Sequence, residues 1–437
     1  MMDVDTAVSW IHSRKKFTKT PSLTRIQHLL HLLGNPEQSV KAVHVAGTNG
    51  KGSVVAYLSE LFKTVNYTVG TFMSPYVDNF NERISLNGEP ITDTELVKLV
   101  KVVKPLVEEM DKIEDLSGMT EFDLITAMMF YYFAQKNPDI VILEVGLGGM
   151  YDPTNVVVNP LVTAITTVSY DHTNILGSDL LEISKQKAGI FKPEIPVVVG
   201  NVDNKVKEYI KNYAKTLHSP YYIYGEEYES QYLGYNAKKN AEKFNYKDEY
   251  HTYKRLLTPM LGKYQVENVA VALQIFDLVI QRESLHVSTS DIQKALNHTS
   301  LSGRMEIFQD NPLIILDGAH NVDAISQLSE NLKTNYRDYR IHVLFAAIKD
   351  KLYDEMINEL LTIPNIDITI TTFDLHKAIP CQNYEKYEHL DNVNIVENWR
   401  KAFFDLLKKT EDDEDMIVVT GSLYFISEVR RFLINAN

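Results

Sequence analysis

The seven residues Gly47 to Ser53 read Gly-Thr-Asn-Gly-Lys-Gly-Ser and constrain this chain more than any other segment. Ahead of them runs the short apolar stretch Ala42–Ala46, interrupted by His44. Behind them Val54–Phe62 carries apolar residues at helical spacing with no Gly or Pro. Strand, glycine-rich turn and helix start in that order form a cradle for polyphosphate, because backbone N–H groups and the helix N-terminus face the anion. Lys51 can reach the outer phosphates and Ser53 can ligate Mg²⁺. Gly47 stands three residues before Gly50, whereas the usual Walker spacing is about five, so this loop is unusually short. The bland alternative is a glycine turn that merely fits the backbone.

A chain of 437 residues has room for two or three domains and a large core. Its 44% hydrophobic and 23% charged residues are ordinary for a soluble globular protein. A formal net charge of −14 argues against nucleic-acid or anionic-membrane partners, while leaving room for a local basic pocket. The one cysteine, Cys381, forms no internal disulfide and follows Pro380 in a polar stretch, where it reads as incidental. Met1–Thr20 lacks the apolar core of a signal peptide, and no run is long enough to span a membrane. These features predict a cytoplasmic protein.

Short apolar runs alternating with helical patterns predict an α/β fold with a mostly parallel sheet. Strands are expected at Thr68–Met73, Ile140–Leu143 and Leu161–Val168, with a hairpin turn at Asn87-Gly88 after Ile84–Leu86. Thr92–Glu95 is a capping box opening a helix towards Met110. Helices are also expected over Glu121–Gln135, apolar on most faces, and Gln265–Ile280. From Tyr221 to Tyr253 nine tyrosines stand among charged residues, which reads as an irregular or antiparallel elaboration. The pattern breaks at Asn297–Gly303 and a second α/β series follows, with strands near Leu313–Leu316, His342–Ala346, Ile368–Thr372 and Met416–Thr420. Domains 1–300 and 301–437 are therefore expected. The acidic run Glu411–Asp415 reads as a solvated turn.

Several polar residues stand where strands end, the edge at which open α/β sheets gather ligands. Glu144 there can hold Mg²⁺ bridging phosphates, or can be satisfied by the amides of the glycine turn that follows. Asp152 and Asn155 suit turns equally well. His172 after Asp171, and Ser74-Pro75, gain weight from position alone. Lys187 is either a solvated helix lysine or, given the close packing that Ala188-Gly189 permits, a buried amine of depressed pKa able to react with carbon dioxide. Arg304 can reach phosphates across a cleft or form an interdomain salt bridge. Asp317-Gly318-Ala319-His320-Asn321 again puts polar groups at a strand end.

Together these segments resemble the folylpolyglutamate synthase / dihydrofolate synthase family of the Mur ligase superfamily, from about residue 20 to the C-terminus. Gly47–Ser53 is similar to that family's loop residue for residue. The likeness extends to Ser74-Pro75 with Asn81–Ile84, Glu144–Gly149 with Asp152 and Thr154-Asn155, Asp171-His172, Lys187–Ile190, Gly303-Arg304 with Glu306, Asp317–Asn321 and Gly421-Ser422. The chain departs from the family pattern at Tyr76, Asp123, Pro153, Gln186, Tyr264 and Leu301-Ser302.

The resemblance implies a P-loop Mur ligase-like N-terminal domain and a smaller α/β C-terminal domain that binds glutamate and closes the cleft. It implies that Gly47, Thr48, Asn49, Gly50, Lys51, Gly52 and Ser53 bind ATP with Asn268, Arg304, Asp317 and His320. Ser53, Ser74, Glu144 and His172 would hold one or two Mg²⁺ ions. Lys51, His172 and a carboxylated Lys187 would serve catalysis, and Phe122 and Asp152 would line the pterin end of the substrate. The implied reaction is ATP-dependent addition of L-glutamate to a folate or dihydropteroate through an acyl phosphate, by a monomer. A cell-wall Mur-type amino-acid ligase shares the loop but accounts poorly for Ser-Pro-Tyr with Asn-Glu-Arg-Ile, and no extra N-terminal domain precedes residue 47. An ATP-dependent switch module is the non-enzymatic alternative.

Overall fold

The structure, a computed structural model, describes residues 2–15, 22–410 and 414–436. Three sheets organise it. The first holds β1 (Ala42–Ala46), β2 (Val69–Phe72), β3 (Ile84–Leu86), β4 (Glu89–Pro90), β5 (Ile140–Glu144), β6 (Val162–Ile165), β7 (Val197–Val199) and β8 (Tyr221–Ile223). Their spatial order is β4-β3-β2-β5-β1-β6-β7-β8, parallel from β2 to β8, with the β3–β4 hairpin added antiparallel at one edge. A three-stranded antiparallel sheet follows: β9 (Glu229–Asn236), β10 (Ala241–Lys247) and β11 (Thr252–Thr258). The last contains β12 (Glu306–Asp310), β13 (Leu313–Leu316), β14 (Arg340–Phe345), β15 (Ile366–Thr372), β16 (Val393–Asn398) and β17 (Asp415–Thr420), in the order β12-β13-β17-β14-β15-β16. Only β12 runs antiparallel there.

The central strands are buried on both faces because helices cover both sides, which is why they read as continuous apolar runs rather than alternating ones. Val54, Leu58 and Leu61 of the helix Lys51–Lys63 pack with Val269, Leu273 and Phe276 of the helix Lys263–Arg282 in one core cluster. The helix Glu121–Lys136 is buried on most of its surface, as its composition predicts. The Thr92/Glu95 capping box is formed, a device worth about 1 kcal/mol. Asn87 and Gly88 both take positive φ, as a two-residue hairpin turn demands.

Register decides where the site lies. Val45 pairs with Glu144, Ala46 with Ile165 and Phe72 with Leu143, so the carboxyl ends of β1, β2, β5 and β6 finish side by side. The chain reverses the direction of its crossovers around β1, and the loop at its end opens at this switch point.

Some expectations need correction. The strand expected at Leu161–Val168 stops at Ile165, because Thr166 and Thr167 turn their hydroxyls to the Gly47–Ser53 loop. Tyr221–Ile223 is the parallel edge of the main sheet rather than part of the elaboration, and the antiparallel sheet begins only at Glu229. The short or edge strands β7, β12 and β16 escaped the sequence reading. Cys381 is buried beside Tyr384 and Tyr387, not loose in a polar stretch. Of the acidic run, 411–413 lie outside the described residues. Asp415 is buried in β17, where it faces His342 Nε2 at 3.2 Å, rather than solvated.

Candidate active site

Gly50 adopts φ of +86° and caps the helix Lys51–Lys63. The first intrahelical bond of its mouth is Val54 N–H to Gly50 C=O, so the amides of Lys51, Gly52 and Ser53 precede the hydrogen-bonded ladder and are free to bind an anion. The loop is tied to the segment after β6. Thr48 N–H donates to Thr167 C=O and Asn49 N–H to Thr167 Oγ1, each at 2.9 Å. Thr166 Oγ1 donates to Asn49 C=O at 2.5 Å. A Cβ on Gly50 would lie 2.3 Å from Asn268 Oδ1, so only glycine lets that amide oxygen approach. Lys51 curls back over the loop and donates to the carbonyls of Gly47 and Thr48 at 2.9 and 3.0 Å.

The loop forms one wall of a cleft of about 550 Å³. Ser74, Glu144 and His172 line it from the carboxyl ends of strands of the first sheet, and Lys187 from the helix Leu180–Ala188. Glu144 is buried, and its Oε2 accepts the Ser74 amide at 3.0 Å. The amide of the following glycine turn goes instead to Asp152, whose Oδ2 accepts Leu147 N–H at 2.9 Å. Burial pushes the Glu144 carboxyl up against the opposing pull of Lys51. His172 takes a left-handed φ of +50° ahead of a short helix. Burial, helped by Lys351, Lys51 and Lys187, pushes its imidazole down to about 4 against Asp171. It is therefore neutral and able to ligate a cation. Two hydroxyls (Ser53, Ser74), a carboxylate and a neutral imidazole form an oxygen-rich donor set that suits Mg²⁺. Lys187 is buried because Gly189 lets the backbone of Met150 approach; a Cβ there would meet Met150 Cα at 2.5 Å. Burial first, and then Lys51, lower the Lys187 amine to about 7.

The opposite wall comes from the second series of elements: Arg304, Asp317 and His320. Asp317 is spent on the backbone, its oxygens accepting the amides of Met305 and Ala319 at 2.8 and 2.9 Å. That fixes the turn carrying Arg304, whose guanidinium lies over Gly318. His320 Nδ1 donates to Gly318 C=O at 2.8 Å, and burial with Lys351 pushes the ring down to about 3, leaving Nε2 an acceptor. Direct bonds cross the cleft. Asn49 Nδ2 donates to Asp323 Oδ2 at 2.8 Å, Asn321 Nδ2 donates to Asn49 Oδ1 at 3.0 Å, and Lys351 Nζ donates to Asp171 Oδ1 at 2.5 Å.

Thus Gly47–Ser53, Ser74, Glu144, His172, Lys187, Asn268, Arg304, Asp317 and His320 all meet in one cleft. Phe122 and Asp152 do not line it. They flank Gly146 one layer behind, where a Cβ would lie 2.6 Å from the Phe122 ring and 3.2 Å from Asp152 Oδ2. Asp152 also accepts Thr154 N–H and Oγ1–H, so it acts as the turn residue its Asp-Pro sequence suggests. The sequence reading missed Lys351, Asp323 and the bridging roles of Asp171 and Asn321. Lys351 lies beyond the carboxyl end of β14, so the strand-end rule applied to Glu144 would have marked it.

Residues 45–276 match the family model described as the Mur ligase middle domain, and 303–423 match the Mur ligase glutamate ligase domain. The chain is 39% identical to a dihydrofolate synthase/folylpolyglutamate synthase of Bacillus subtilis over 98% of each chain. It is 34% identical to a folylpolyglutamate synthase of Lacticaseibacillus casei over 99% of each. A solved FPGS–AMPPCP–folate complex superposes with a TM-score of 0.87 at 32% identity, covering 99% of this chain and 100% of that one.

Proposed function

The chain belongs to the folylpolyglutamate synthase / dihydrofolate synthase family of Mur ligases, and we propose that it uses ATP to join L-glutamate to the carboxylate of a folate. The observation that carries this reading is a single cleft in which a phosphate loop faces Arg304 and His320 of a second α/β unit. Its relatives bear the names of both folate reactions, and one superposable structure holds an ATP analogue together with folate.

A folate carboxylate attacks the γ-phosphate of ATP, giving an acyl phosphate and ADP. The glutamate amine then adds to the acyl carbon and phosphate leaves. Phosphoryl transfer mainly asks for positioning and charge neutralisation. The amides of Lys51, Gly52 and Ser53 hold the phosphates, and Lys51 leaves the Gly47 and Thr48 carbonyls to follow them. Arg304 meets the transferring group from the other side. Ser53, Ser74, Glu144 and His172 would hold Mg²⁺, which when bound supplies positive charge to the phosphate oxygens. Lys187, its amine lowered to about 7 so that a large fraction is uncharged near neutral pH, is the candidate for carboxylation to an anionic carbamate. Residues 1–300 carry the ATP and folate sites, and 301–437 carry the glutamate side and exclude water on closure. The residues of the first and second units that line the cleft form a complete set within this chain, and we take the enzyme to act as a monomer. No described helix is long and apolar enough to cross a membrane, and we place the enzyme in the cytoplasm.

Phosphate release measured with tetrahydrofolate, dihydropteroate or a UDP-muramoyl peptide, each with and without glutamate, tests the reading. Glutamate-dependent release with a folate-type acceptor is expected. Release with the muramoyl peptide alone would overturn it.

A further inference from the structure

Far along the helix Lys263–Arg282 from Asn268, the turn joining β10 to β11 packs against its second half and brings Asp248, His251 and Asp277 together. One ligand atom from each lies within 4.8 Å of the other two. His251 Nδ1 is 3.3 Å from Asp277 Oδ2 and 3.6 Å from Asp248 Oδ2. Ligands sharing a tetrahedral Zn²⁺ at bonds of about 2.1 Å stand roughly 3.4 Å apart. The two separations from His251 bracket that figure, and the two carboxylates lie within 4.8 Å of each other.

Hydrogen bonding points the same way. Asp277 is fully buried; among the described residues its Oδ1 has no hydrogen-bond partner, and its Oδ2 has only the His251 Nδ1 facing it at 3.3 Å, outside good hydrogen-bond geometry. Asp248 divides its duties. Oδ1 accepts the amides of Tyr250 and His251 at 2.8 and 2.5 Å, which fixes the turn. Oδ2 has only the Tyr246 hydroxyl, at 3.4 Å, and faces His251. Two buried carboxylates that share one imidazole are strongly disfavoured as a charged pair unless a further cation compensates them. A protonated imidazole offsets one of these two carboxylates, whereas a divalent cation offsets both and takes a neutral imidazole as its third ligand. We propose that Asp248, His251 and Asp277 bind one divalent metal ion of the Zn²⁺ class.

An imidazole with two carboxylates at this spacing favours Zn²⁺ over Mg²⁺, which prefers octahedral oxygen. His251 is 32% exposed, which leaves room for water as the fourth ligand. A neighbouring hollow of about 340 Å³ is lined by Glu226, Glu227, Glu229, Asp248 and Glu249 against the one Lys247, a field that draws cations to the site. The bound ion pins the β10–β11 turn to the helix whose first turns carry Asn268. The proposal does not depend on the ligase reading.

The test dialyses chelator-stripped, full-length protein against Zn²⁺ in excess Mg²⁺ and measures retained zinc by elemental analysis, with Co²⁺ absorption as the geometric probe. Wild type and Glu144→Ala are expected to retain about one equivalent, and the Co²⁺ form to show the visible bands of four-coordination. His251→Gln and Asp277→Asn are expected to lose both, with circular dichroism confirming the fold. Should Asp277→Asn fail to fold, the partly exposed His251→Gln still decides the matter. Zinc retained by His251→Gln, zinc lost from Glu144→Ala, or none retained by wild type would overturn the proposal.

Discussion

Lys351 Nζ lies 2.5 Å from Asp171 Oδ1, and the two side chains are only 5% and 9% exposed. An ammonium from the second α/β unit is thereby held against the residue that precedes His172. Burial alone would raise the Asp171 carboxyl, but Lys351 first, and then His172 and His320, hold it well below the usual carboxylate range.

Removing one partner of a buried pair strands the other, at about 3–5 kcal/mol where burial is complete. Lys351→Met should therefore disfavour the closed arrangement and lower kcat at least about tenfold, equivalent to roughly 1.4 kcal/mol. Nucleotide binding to the first unit should change little. Steady-state kinetics and calorimetric titration with a non-hydrolysable ATP analogue read the two effects separately. An unchanged kcat would show that the bridge plays no part in the reaction.

Gly50→Ala must accommodate a Cβ 2.3 Å from Asn268 Oδ1 at a backbone φ of +86°. The expected outcome is a loss of at least about tenfold in affinity for the ATP analogue, with the strain of a left-handed alanine costing about 1 kcal/mol of stability. Calorimetry and urea unfolding measure both. Wild-type affinity in this variant would remove the loop's conformation from the account.

Lys187 is buried and its amine is lowered to about 7, so a large neutral fraction is available to carbon dioxide near neutral pH. Native mass spectrometry in bicarbonate should show one added CO₂ that is lost on acidification and is absent from Lys187→Arg. Turnover should fall with it. Full turnover by Lys187→Arg would sink the carbamate.

His44, in β1 just ahead of the loop, donates Nε2–H to Thr154 Oγ1 at 2.8 Å, since that hydroxyl gives its own proton to Asp152, and Nδ1 is left without a partner among the described residues. Burial, with Lys192 nearby, pushes its pKa down to about 3. The folded state thus binds fewer protons than the unfolded state between pH 6.5 and 3, so stability falls as pH drops through that window. His44→Gln should remove up to about 2 kcal/mol of the loss between pH 6.5 and 5. Urea unfolding at several pH values checks this, and parallel slopes for both proteins would contradict it.

What the sequence made legible was local. The glycine loop, the Thr92 capping box, the Asn87-Gly88 turn and the apolar run ending at Glu144 each declare themselves within a few residues. Their convergence followed from one topological rule about strand ends. Lys351 stayed hidden because its partner Asp171 is 180 residues away, although its place beyond the end of β14 is the kind of signal the strand-end rule uses. The strand Val197–Val199 is too short to show periodicity. Cys381 reads as incidental in a polar stretch because Tyr384 and Tyr387, buried with it, lie within a 3₁₀ turn that alternation rules do not register.

We infer that Gly47–Ser53 holds ATP while its γ-phosphate passes to a folate carboxylate, with Lys51 carrying the charge. Glutamate-dependent phosphate release with the folate acceptor, compared between wild type and Lys51→Ala, tests it most directly. The variant should fold, with an unchanged circular dichroism spectrum, and lose this release. Turnover by Lys51→Ala at the wild-type rate would contradict it.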